Sequence, residues 1–124
     1  VGYKVATSWV APVTTGTLDS VIFDSGVQGG ALWHTLLWQG VLNNGEVRFQ
    51  IASSPNASGP WSYVGPDSTA ATYYGGGFAG PDTAIAITLA DHNNKRYIRY
   101  RLVITSSAEG MSPRVDSVTL GYSP

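Results

Sequence analysis

The chain has no cysteine, so no disulfide can staple it and no thiolate is on hand for catalysis or metal binding. That absence neither prevents folding nor decides the compartment. A chain of 124 residues can close one hydrophobic core, burying about two-thirds of the surface it exposes when unfolded. Charge is scarce as well, at 12% of residues with a net of −1. Nucleic-acid binders usually carry a basic surplus, so a nucleic-acid partner is not expected. No apolar run approaches the ~20 residues of a membrane span, and no membrane insertion by this segment is expected. No signal peptide is visible, and the first residue is Val1 rather than Met, which reads as a processed product or a piece of a longer chain.

What the chain does have is punctuation. Fifteen glycines, seven prolines and many serines and threonines separate short apolar runs. Thr, Val, Tyr and Ile with few Lys or Glu argue against helices and for strands. The profile is common among extracellular β proteins, so an extracellular or cell-surface location is expected. In "EVRFQIAS", Val47, Phe49 and Ile51 share one parity and Glu46, Arg48 and Gln50 the other, which predicts a strand with one wet face. "NNG" at 43–45 carries the signal of a hairpin leading into it. "RYIRYRLVIT" alternates with Ile98, Tyr100, Leu102 and Ile104 on one side; "RVDSVTLGY" places Val118, Leu120 and Tyr122 together. Further strands are expected around Ile85–Leu89, Trp61–Val64 and Ala71–Tyr74. "VGPDST" and "AGPDTA" read as turns, with Pro fixing φ and Asp accepting a backbone hydrogen bond. The sum is an all-β fold, a two-sheet antiparallel β-sandwich of jelly-roll type with roughly eight strands. It forms one domain over 1–124, with 1–15 an N-terminal extension or edge strand.

"GALWHTLLWQG" concentrates aromatic chemistry. Strict strand parity groups Leu32, His34, Leu36 and Trp38 on one face and Ala31, Trp33, Thr35 and Leu37 on the other. Both sets are largely apolar, so the segment reads as a central strand anchored in the core by Trp38. Trp33, on the opposite face, is the candidate here for an exposed stacking platform. Sugar C–H faces are apolar and leave water on an indole or phenol ring, so Trp33, Trp61, Tyr73 and Tyr74 form the candidate ligand-binding set. Tyr73 and Tyr74 point to opposite sides if their segment is extended, and Trp61, following Pro60 at a strand entry, reads more readily as a cap on the end of the core. Arg99 and Arg101 alternate on one strand face with Arg48 adjacent, which reads either as an anion or sulfated-glycan patch or as a plain exposed face.

Catalysis finds little support. A glycosidase needs two carboxylates across a cleft, and the only glutamates are Glu46, at a strand start, and Glu109, in the loop "SSAEGMSP". No serine sits in a Gly-x-Ser-x-Gly elbow. The expectation is a protein that is not an enzyme, with no catalytic residue and no cofactor. "DHNNK" offers Asp91 and Asn93 as weak oxygen ligands for a structural Ca²⁺, without the glycine and glutamate of an EF-hand; a polar turn is the plainer reading.

The order "GTLDSVIFDSG", "LLWQG", "EVRFQIASS", "GPWSYVGPDSTAATYY", "KRYIRYRLVITSS", "SPRVDSVTLGY" resembles the discoidin-like or galactose-binding-like jelly-roll module of bacterial secreted and surface proteins. It is most similar to the globular part of pilin-like and adhesin-like proteins, where the module follows a hydrophobic N-terminal helix. The resemblance covers nearly all of residues 16–122. It implies a non-catalytic extracellular module acting in adhesion or surface assembly, with a glycan or surface protein as partner. It also implies membership of a larger filament or multidomain protein. A carbohydrate-binding module that targets an attached enzyme is the alternative. No ligand residue carries over from the family, because its binding loops vary.

Overall fold

The structure, a computed structural model, describes residues 15–75, 80–107 and 111–124. The expected N-terminal extension, Thr15 apart, lies outside the described residues, as do Glu109 and the centre of the "YYGGGFAG" loop. The described residues form eight strands: β1 (Thr15–Asp19), β2 (Phe23–Asp24), β3 (Leu32–Val41), β4 (Glu46–Ser54), β5 (Tyr74–Gly75), β6 (Ile85–Ala86), β7 (Tyr97–Thr105) and β8 (Arg114–Ser123). A short 3-10 turn covers Ala90–His92. The larger sheet runs β1-β7-β4-β5, with β2 also on β7; the smaller runs β6-β3-β8, and every pairing is antiparallel. The fold is the expected two-sheet β-sandwich.

Alternation builds the core. Val47, Phe49 and Ile51 of β4 and Ile98, Tyr100, Leu102 and Ile104 of β7 face inward and are buried. They meet Leu36, Trp38, Val115, Val118 and Leu120 of the smaller sheet. The outer face of β4 is wet only in part: Glu46 and Arg48 are half-exposed, but Gln50 is not exposed as expected. Gln50 is buried because its amide nitrogen donates to the carbonyls of Ala70 and Thr72, which belong to a strap laid over the sheet.

Two β-bulges alter the expected parity. Trp33 pairs with Tyr122 and Thr35 with Gly121, so His34 is the extra residue on β3; Gln39 pairs with Ser117 and Gly40 with Val115, so Asp116 is the extra residue on β8. A bulge inserts one residue and flips every side chain beyond it. Trp33 therefore joins Leu36 and Trp38 in the core, and His34 turns outward to hydrogen bond Ser123 Oγ at 2.7 Å. The bulged strand is held from its other edge, where the Ile87 amide donates to the His34 carbonyl.

The "NNG" turn has the expected local shape and a different role. Asn43 and Asn44 have φ of 50° and 62°, and the Gly45 amide closes the turn on the Leu42 carbonyl. Yet β3 and β4 lie in opposite sheets, so the turn arches across the sandwich and does not close a hairpin. The edges of β4 are taken by β7 and β5, and those of β3 by β8 and β6.

Candidate ligand-binding face

The segment after β4 returns along its edge. Val64 and Ile51 exchange backbone hydrogen bonds at 2.9 and 3.0 Å. This single bridge sets the parity of its neighbours. Val64 shares the inward side with Ile51, so in an extended chain Trp61 and Tyr63 fall on the outer face of the larger sheet. The β4–β5 pairing does the same for the tyrosine pair: Tyr74 lies opposite Phe49 and is buried, leaving Tyr73 outside.

The outer face of β7 and β4 supplies cations to these rings. Arg99, Arg101 and Arg48 share one parity, with Arg101 opposite Gln50 and Arg48 opposite Val103, which makes Arg48 and Arg101 diagonal neighbours. The Arg48 guanidinium lies 4.1 Å from the Tyr73 ring centre and that of Arg101 4.1 Å from the Tyr63 ring. Arg99 lies 5.5 Å from the Trp61 ring and 5.8 Å from Tyr63. Each stack is worth about 0.5–1 kcal/mol at an exposed site and holds both ring and cation in place. All six side chains are half-buried.

The charges on this face are unequal in their commitments. Arg101 grips Asp19 with two hydrogen bonds, 2.7 and 3.1 Å, and the bonded guanidinium holds the Asp19 carboxyl below its usual range. Arg48 lies 3.6 Å from Glu46. Arg99 donates one bond, 2.9 Å, to the Ser20 carbonyl and has no carboxylate within ion-pair distance among the described residues. Burial, with Asp19 nearby, pushes the Tyr63 phenol up. Half-exposed rings beside guanidinium groups suit a ligand with apolar C–H faces and an anionic group. Asp19 already fills the Nε–Nη2 edge of Arg101, and the Nε atoms of Arg48 and Arg99 are buried, so terminal guanidinium nitrogens rather than a free fork would meet the anion.

The four expected ligand residues thus part company. Trp61 and Tyr73 lie on this face. Trp33 and Tyr74 do not, being 2% exposed each. Trp33 packs against Phe23 and Tyr122, and its indole N–H donates to the Lys95 carbonyl, so neither its face nor its polar edge is available to a ligand. Tyr63 was not among the expected residues. Its signal is the alternation of "WSY", which puts it on the side of Trp61 once Val64 is placed. Asp91 and Asn93 are exposed around the 3-10 turn, where the Asp91 carboxylate accepts the Ser68 hydroxyl. No group of three or more His, Asp or Glu side chains that could hold a metal is present among the described residues. Among the described residues no helix is long and apolar enough to cross a membrane. Comparison with protein-family models, with curated proteins and with solved structures finds no match to this chain.

Proposed function

We propose that this chain is a non-catalytic extracellular module of a pilin-like or other cell-surface protein, acting in adhesion by gripping an acidic glycan on the outer face of its larger sheet. The observation that carries the reading is the interleaving of Trp61, Tyr63 and Tyr73 with Arg48, Arg99 and Arg101 on one sheet face. The rings take the sugar's C–H faces from water and the guanidinium groups take its carboxylate or sulfate. The resemblance to discoidin-like modules supports the surface setting. The same rings support the alternative, a carbohydrate-binding module that targets an attached enzyme; the parent chain separates the two.

The test is a glycan array of sulfated, uronic and neutral oligosaccharides, followed by titration of tryptophan fluorescence. Acidic glycans should bind, more weakly as salt rises. Arg99→Ala and Trp61→Ala should each weaken binding by about tenfold, or ~1.4 kcal/mol. Failure of every glycan at millimolar concentration, or affinities indifferent to both substitutions, removes the reading.

A further inference from the structure

A second site lies at the end of the sandwich where β4 finishes and β7 begins. There a cavity of about 390 Å³ opens beside the 3-10 turn. That lies toward the small end of ligand pockets, about 300–1,000 Å³. Part of its lining is polar and part of it is buried. The Ser53 hydroxyl and His92 Nδ1 share a hydrogen bond of 2.6 Å, and His92 is 2% exposed. His92 Nε2 is buried with no partner among the described residues, and buried polar atoms are normally paired. Pro55, Pro60 and Val64 give the cavity an apolar side. It is distinct from the arginine–aromatic face, since Ser62 and Val64 line the cavity while Trp61 and Tyr63 lie over the arginines.

Its charges are the informative feature. Asp91 and Lys95 line the same cavity, yet no ion pair joins them among the described residues. Asp91 is held by the Ser68 hydroxyl. Lys95 is held by its backbone, which bridges Ala31 and accepts the Trp33 indole N–H, so its ammonium is not needed to keep it in place. A ligand of one sign would meet one attracting and one repelling group, and only a ligand carrying both signs can pair with both charges at once. We infer that the cavity binds a zwitterion of amino-acid size, its ammonium against Asp91 and its carboxylate against Lys95, its apolar body against Pro55 and Pro60. Serine hydroxyls complete its hydrogen bonds.

Calorimetry and ¹⁵N amide shifts on the full chain test this with L-alanine and L-proline as probes. Propionate and ethylamine each keep one half of alanine, and methyl glucoside is the neutral control. The zwitterions should bind and shift the amides of Ser53, Asp91 and Lys95; each half-molecule should bind at least about tenfold more weakly. Lys95→Gln and Asp91→Asn should each weaken binding by about the same factor with folded spectra retained. The proposal is overturned if neither zwitterion binds at millimolar concentration, if a half-molecule binds as well, or if only the glucoside binds. The ligand series decides even if a variant fails to fold.

Discussion

Trp33 and Trp61 carry the same indole into opposite situations, and the difference is set by local backbone pairing, a bulge for one and a two-bond bridge for the other. Trp33 precedes the bulge residue His34 and turns into the core; Trp61 sits three residues before the Val64 bridge and turns out over Arg99. Their truncations should separate cleanly. Trp33→Ala removes a side chain 2% exposed and should cost about 3–5 kcal/mol in urea unfolding, as should Phe49→Ala at the centre of β4. Trp61→Ala removes a half-buried ring and one cation–π contact, so about 1–2 kcal/mol is expected, with its main effect on ligand binding. A loss below about 1 kcal/mol for Trp33→Ala would return that ring to the surface and undo the bulge assignment.

At the scale of elements, alternation in β4, β7 and most of β8 was legible, because a strand with one buried face writes its period into the residue order. Phe49, Ile51, Ile98, Tyr100 and Leu102 all went where period two sends them. What the residue order does not carry is whatever depends on a partner strand. Neither His34 nor Asp116 looks like a bulge, since the extra residue exists only relative to the opposite strand. The "NNG" turn is legible as a turn, but whether it closes a hairpin or an arch depends on which edges other strands have already taken. The aromatic face is half-legible for the same reason: parity alone puts Arg99 and Arg101 on one side of β7, while Tyr63 is placed only by the Val64–Ile51 bridge. The second bulge makes its own prediction. Gly40 has φ of 149°, and a Cβ there would lie 1.9 Å from the Arg114 carbonyl oxygen, whereas one at Gly26, with φ of 73°, would meet nothing within 4 Å. Gly26→Ala should therefore cost only the backbone strain, about 1 kcal/mol, and Gly40→Ala clearly more, because backbone must move at the β3–β8 pairing. Equal losses in denaturant titrations would show that the bulge relaxes freely.

For the whole molecule, the sandwich depends on acidity through His92, which packs into the end of the larger sheet against β4. Burial pushes its pKa from the usual 6.5 down to about 4; Asp91 opposes the shift and Lys95 adds to it. The unfolded chain takes up the proton near the ordinary value while the folded ring refuses it, so the unfolded state binds more protons between those two limits. Stability is thus intact above about pH 6.5, falls as pH drops toward about 4, and loses on the order of 3 kcal/mol across that window. A second decline begins below the ordinary carboxylate value of 3.8. There Asp19, held low by Arg101, Asp24, held low by Arg96, and Asp67, held low by the Thr72 and Thr69 hydroxyls, are forced to protonate. Urea unfolding across this range should show both declines. His92→Gln keeps a polar side chain of similar reach without a proton to gain, so it should flatten the first decline and leave the second, whatever it costs at neutral pH. If the unsubstituted protein kept constant stability between about pH 7 and pH 4.5, or if His92→Gln declined in parallel with it, the imidazole would not be closing that end of the core.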